Sequence, residues 1–325
     1  MDGTIQRTVL FSALAITFSL LLTACQPPQG PDRSWQQAAR GTLSAAFSSD
    51  GKLGFIGSIS HGGSLWRSAD GERLFNWNHA PDHYSVIYAA AFSPDDALIA
   101  TTEYETIVLW DTTTGESLRF WTAPSRITSI DLSPNGDFAL LGLDNHNAVL
   151  FDIMAGGISR TLAHSAPVNS VALNKDASLA VTGSDDFDAK LWSVESGELL
   201  ATLTHTSPVN LVAISDSGKY ILTGAHGERV VIWDSQTGEE VQTLFRSNPG
   251  LTVAVFSGDE SLLLTGNASQ RIQLWDTGDW SQQNEWLLKK AGQWHGSAVL
   301  ALAFGDTPGK FYAAASTGHS YQLEN

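Results

Sequence analysis

Hydrophobic positions along residues 34–325 fall into short β-rich runs flanking turns that contain Asp, Ser or Gly, as in VNSVALNKDASLAVTGSD and VNLVAISDSGKYILTGAH. A second stretch follows each of these: SLWRSADGERLFNW, VLWDTTTGESLRFW, VLFDIMAGGISRTL, KLWSVESGELLATL, VIWDSQTGEEVQTL and QLWDTGDWSQQNEW. Their aromatic anchors are Trp66, Trp110, Phe151, Trp192, Trp233 and Trp275, at steps of 44, 41, 41, 41 and 42 residues. The first run of each unit is marked by Phe47, Phe92, Leu132, Leu173, Ile214, Phe256 and Phe304, and the anchor follows 19 residues later in six units and 18 in the second. A period of this size with four short apolar runs per unit predicts an all-β fold, a seven-bladed β-propeller with strands a to d in each blade.

The seventh unit places Leu323 at the anchor position and then stops, one strand short. SWQQAA, residues 34–39, precedes the first unit as SRTLAH precedes the fourth, so it can supply the missing strand. Pairing the two chain ends removes an exposed sheet edge and closes the ring. The domain organisation expected is a leader at residues 1–24, a Pro-rich linker at 25–33 and the propeller at 34–325.

Ahead of the propeller, Val9 to Leu22 form an apolar run of 14 residues behind a segment whose only basic side chain is Arg7. As a helix it would rise about 21 Å, short of the roughly 30 Å hydrocarbon core, which fits the apolar region of a secretory signal better than a membrane span. Leu22, Thr23, Ala24 and Cys25 resemble the lipobox of bacterial lipoproteins. That resemblance implies that Cys25, the only cysteine, is lipidated and becomes the first residue of the mature chain. Gln26 in place of Asp after the cysteine implies, by the same resemblance, sorting to the outer membrane facing the periplasm. Lipid on Cys25 would leave no thiol for a disulfide, so stability would come from packing alone. The plain alternative is an ordinary signal peptide with an incidental cysteine.

Residues 34–325 resemble the WD-repeat family. Trp110–Asp111, Trp233–Asp234 and Trp275–Asp276 match its name-giving dipeptide, whereas Trp192 is followed by Ser193, Trp66 by Arg67, and the third blade has Phe151–Asp152. The family's structural network joins a histidine before strand a, a Ser or Thr in strand b, an Asp in the b–c turn and the strand c Trp. The resemblance assigns a full set to the fourth blade alone: His164, Thr182, Asp186 and Trp192. The fifth keeps His205, Thr223 and Trp233 but has Gly227 at the Asp position. Trp77, Trp121 and Trp286 occupy the position of Leu162, Leu203 and Leu244 in strand d and read as packing residues, with Trp35 one position off that site. Trp280 and Trp294 have no place in the repeat.

The net charge of −16, without basic runs, argues against nucleic acid and against an anionic membrane surface as partners. The b–c turns carry Glu103, Glu105, Asp144, His146, Asp185, Asp186, Asp188, His226 and Glu228, which read as wet turn residues, with a hard cation such as calcium as the sharper alternative. No nucleophile motif, Gly-rich phosphate loop or metal-spaced Cys/His cluster occurs, so no cofactor and no catalytic residue is assigned.

The connection from strand d to the next strand a is 11 or 12 residues between equivalent positions in most blades, but 15 from Trp77 to Phe92 and 18 from Trp286 to Phe304. Both insertions fall on one face, and insertions in repeat proteins gather on the binding face. The longer holds Lys289, Lys290, Trp294 and His295; the shorter holds His79 and His83. These six form the candidate partner face, against the plain alternative of tolerated surface loops. Two functions follow. The first is a membrane-tethered, non-enzymatic platform for a protein partner; the alternative is an enzyme or a small-ligand or metal binder using the central funnel. A funnel lined with small apolar side chains would weigh against the second.

Overall fold

The computed structural model describes residues 28–80, 83–288 and 297–325. Cys25, Lys289, Lys290, Trp294 and His295 lie outside them. Seven four-stranded antiparallel sheets succeed one another along the chain, six in plain meander order. Blade one, for example, runs Thr42–Phe47, Leu53–Ser58, Gly62–Arg67 and Arg73–Trp77. In the seventh, Val299–Phe304, Lys310–Ala315 and His319–Glu324 are completed by Arg33–Gln36, which pairs antiparallel with His319–Gln322. The expected closure therefore holds, and the closing strand begins at Arg33. No helix among the described residues is long and apolar enough to cross a membrane.

Each turn class has its own local chemistry. In the a–b turns a Ser or Asn side chain accepts the N–H five residues on, as Ser48 does from Leu53, Ser93 from Leu98 and Asn174 from Leu179. In the c–d turns the Asp after the anchor accepts backbone N–H groups two and three residues later; Asp111 takes Thr113 and Thr114, and Asp234 takes Gln236 and Thr237. The N–H groups of Thr114 and Thr237 accordingly hold these two carboxyls below the usual range. The aspartates of the name-giving dipeptide are thus turn-builders.

The core lies between blades, where strand d of one sheet packs on the strand c anchor of the next. Trp77 stacks on Trp110 with ring centroids 5.1 Å apart, and its Nε1–H donates to the Gly115 carbonyl at 2.9 Å. Trp286, fully buried, donates to the Glu324 carbonyl at 3.2 Å. Trp35 sits opposite Ser320, three residues before the Leu323 anchor, just as Trp77 sits opposite Gly63 and Trp286 opposite Ile272. It is therefore in register with the strand d tryptophans, not one position off. Its ring covers Gly71, whose φ of +70° and lack of a Cβ the contact requires. Trp280 also finds a place, edge-on to Tyr220 at 5.3 Å.

The N-terminal strand does more than complete one sheet. Gln29 forms a parallel bridge beside Trp286 on the outer strand of blade six, its N–H donating to the Glu285 carbonyl at 2.9 Å and its carbonyl accepting the Leu287 N–H at 2.8 Å. Asp32 then accepts the Glu324 N–H at 2.8 Å. Residues 29–36 form a latch across the outer rims of blades six and seven.

Candidate functional site

His164 lies in a d–a loop and Asp186 in a b–c turn, and their 2.9 Å hydrogen bond puts both loop classes on one face. This face carries every described candidate. In blade four the set joins as expected: His164 Nε2 meets Thr182 Oγ1 at 2.7 Å, and Trp192 Nε1–H donates to the same hydroxyl at 2.9 Å. Burial pushes the His164 imidazole down, with Asp186 pulling the other way. Burial also works to raise Asp186, but the Ser165 N–H and His164 outweigh it, and the carboxyl stays below the usual range.

Blade five rebuilds the missing corner one residue later. His205 bonds Thr223 at 2.8 Å, Trp233 donates to Thr223 at 2.7 Å, and the Glu228 carboxylate stands 3.5 Å from His205 Nδ1 while accepting the Thr206 N–H at 2.8 Å. Gly227 therefore leaves no vacancy, because a longer side chain from position 228 reaches the same place.

Blade two corrects the sequence reading of His79. Its side chain is only 3% exposed, with Nε2 2.9 Å from Thr101 Oγ1 and Nδ1 2.9 Å from Thr106 Oγ1. Thr106 spends its hydroxyl proton on the Glu103 carbonyl, so it accepts from Nδ1–H; Thr101, which accepts the Trp110 N–H, then donates to Nε2. The ring is neutral and structural, and burial pushes it down to about 4. His79 is thus removed from the partner face. His83, by contrast, is exposed on the loop face, its side chain 68% accessible and Nε2 3.9 Å from a Glu103 oxygen.

Blade six keeps the bond from Trp275 Nε1–H to Thr265 Oγ1 at 3.0 Å, and in blade one Trp66 donates to Ser64 Oγ at 2.7 Å, whereas blades three and seven fill the same positions with apolar groups. Where the anchor has no N–H, as at Phe151 and Leu323, strand b offers Leu141 and Ala313 in place of threonine. The histidine slot two residues after the strand d packing position holds Ala123 before blade three and Leu288 before blade seven, both buried. In blades three and seven the anchor, the strand b position and the histidine slot turn apolar together, so none of the three leaves a donor without its acceptor.

The b–c carboxylates hold loops. Glu103 accepts the Val86 N–H at 3.0 Å, Asp185 accepts from Asn169 at 2.7 Å, Asp188 from Thr204 at 2.9 Å, and Asp144 from the Ser125 hydroxyl. Among the described residues no three metal-ligating side chains gather at one point. The central channel is walled by the strands a, with Ala45, Ala90, Val171, Val212, Ala254 and Ala301 facing one another. Asp131 is a carboxylate of this wall, accepting the Leu173 N–H at 2.8 Å, and burial pushes it up to about 6.

Sequence reasoning missed an aromatic patch on the same face. The shorter insertion exposes Tyr84 and Tyr88, the b–c turn of blade two exposes Tyr104, and Arg126 from the next d–a loop lies over Tyr88 and Tyr104 at 5.7 and 5.9 Å. The insertion length pointed to the first two. Nothing in the sequence joins them to Tyr104 and Arg126, which meet only because adjacent blades align their loops.

The family described as WD domain, G-beta repeat (WD40) matches residues 77–111, 156–193 and 197–234. These segments cover blades two, four and five, the three that carry the histidine–threonine–tryptophan network. Curated relatives match over shorter stretches. The Eukaryotic translation initiation factor 3 subunit I of Aspergillus oryzae is 33% identical over 91 residues, 28% of this chain and 26% of its own length. That of Coccidioides immitis is 30% identical over 109 residues, 33% of this chain and 29% of its own length. The match therefore spans about a quarter of these relatives. Seven closed four-stranded blades, with WD40 repeats recognised at the three whose polar networks are intact, make this chain a seven-bladed β-propeller of the WD-repeat type.

Proposed function

We propose that this chain is a non-enzymatic protein-binding propeller, tethered to a bacterial outer membrane by lipid on Cys25 and presenting its d–a and b–c loop face to a protein partner in the periplasm. The observation that carries the binding half is the exposed aromatic surface of the shorter insertion, where Tyr84 is 62% exposed on a face built from rigid sheets. Lys289, Lys290, Trp294 and His295 of the longer insertion belong to the same class of loop and extend the proposal. The matched relatives are subunits by name, which fits a role as one part of an assembly. The channel wall sets small apolar side chains beside Asp131 and Asp216, and the non-enzymatic reading rests on the loop face instead.

The tether half rests on the sequence around Cys25. Docking of Gln29 on blade six leaves four residue steps from Cys25, at most about 14 Å of chain against the roughly 30 Å of a free nine-residue linker. Gln29 runs parallel to the outer strand of blade six, from the c–d side toward the loop face, which supports a reading in which the anchor lies on the c–d side and the binding face turns away from it. Expression of the full chain and of Cys25→Ser in a bacterial host, with radiolabelled palmitate, tests this. The expected result is labelled, membrane-retained wild type and an unlabelled, unprocessed variant. Equal processing and equal membrane retention of the two would contradict the tether.

A further inference from the structure

We infer that the patch around Arg126 is a recognition site for an acidic peptide segment, a carboxylate side chain flanked by apolar residues; the inference rests on the protein-binding reading above and names the partner's chemistry. Three loops build the patch. Tyr88 and Tyr104, 41% and 55% exposed, bracket the guanidinium, and the His61 ring continues the surface to Tyr84 at 5.6 Å. Exposed Ile59 adds an apolar edge on the blade one side.

The charge state of the patch decides what fits it. Arg67, Arg229 and Arg271 each pair with a carboxylate, but Arg126 makes no ion pair among the described residues. Of the acids in the neighbouring loops, Glu103 holds the Val86 N–H and Asp144 the Ser125 hydroxyl, and neither they nor Glu105 stand in an ion pair with Arg126. The exposed guanidinium, without an ion pair among the described residues, can grip an incoming carboxylate bidentately while two tyrosine rings steady it. The net charge of −16 opposes any polyanion, and a single carboxylate flanked by apolar residues meets far less of that repulsion than a phosphate backbone does.

Backbone geometry supports the assignment. The blade two b–c turn has two residues, Tyr104 and Glu105, with Glu103 paired to Thr106, and Tyr104 is held at φ +56°. A bulky side chain in the left-handed region costs of order 1–3 kcal/mol where glycine costs nothing. The strain places an exposed ring beside Arg126.

The test pans the full chain against a phage-displayed random peptide library and measures the best synthetic peptide by fluorescence anisotropy. Enrichment of Asp or Glu next to apolar positions is expected. Arg126→Ala and Tyr104→Ala should each weaken binding by at least about tenfold, Arg126→Lys should recover only part of it, and Arg67→Ala, on the c–d side, should change nothing. Because these residues are exposed, equal melting temperatures are expected and make the comparison clean. Peptides without acidic enrichment, tighter binding of a single-stranded oligonucleotide, or equal affinity of the Arg126→Ala chain would overturn the inference. If that happens while a protein partner still cross-links to this face, the acidic-peptide site falls and the interaction reading stands; if no partner engages either face, the interaction reading itself falls.

Discussion

A chain beginning at Ala39 is expected to lose at least about 4 kcal/mol of stability relative to one beginning at Pro28, and to self-associate. The shorter chain lacks all of the latch. It exposes the edge of His319–Glu324, removes the Trp35 ring from Gly71, and uncovers the rim of blade six where Gln29 bridges beside Trp286. Loss of a fully buried tryptophan costs about 3–5 kcal/mol; the half-buried Trp35 contributes part of that and the four strand pairings with the Gln29 bridge add to it, while an unpaired strand edge seeks another chain. Urea unfolding followed by tryptophan fluorescence, together with size-exclusion chromatography, reads both effects. Equal midpoints and two monomeric chains would show that the ring does not depend on its N-terminal strand.

Acid should weaken the propeller through its histidine networks. The folded pKa of His79 is lowered from 6.5 to about 4, so the unfolded chain binds the proton that the folded chain refuses between those values. This contribution is therefore complete above about pH 6.5 and is lost as the pH falls toward 4. At about 1.4 kcal/mol per unit it amounts to roughly 3 kcal/mol. His164 and His205 are shifted the same way by burial, and Asp186, held below its usual range, adds a loss at lower pH. Asp131 acts oppositely: raised to about 6, its ionised form is disfavoured in the fold, so falling pH relieves it. Comparing wild type with His79→Gln isolates one site. The variant is expected to be less stable at neutral pH and to lose roughly 3 kcal/mol less between pH 7 and pH 4 in urea unfolding. Parallel stability curves for the two would mean that His79 is not the buried neutral ring described here.

Much of the fold is legible in the sequence because every blade must bury the same large residue at the same place. Trp66 through Trp275 therefore recur at nearly fixed steps, and the absence of a fourth strand after Leu323 points to the N-terminus. The blade four network is legible for the same reason. His79 is hidden because an insertion separates it from strand a of blade two. Counted forward from strand d, His79 follows Trp77 by two residues just as His164 follows Leu162 and His205 follows Leu203. By that count the blade seven slot is Leu288, which is buried. The acidic corner of blade two was also disguised: its b–c turn is one residue shorter, and the Thr106 hydroxyl does the work of the carboxylate. The Arg126 patch is legible at no level of the sequence, since three separate loops build it and each alone looks like ordinary surface.

The central claim is that one face of the disc does the binding. Site-specific photo-cross-linking in the full chain tests it most directly, with the probe placed in turn at Tyr84, Tyr88 and Tyr104 on the loop face, and at Asp70, Ala155 and Ser196 in the c–d turns. A discrete protein adduct is expected from the first three positions and none from the second three, with the adduct at Tyr104 reduced by Arg126→Ala. Adducts formed equally from both sets, or from the c–d turns alone, would contradict it.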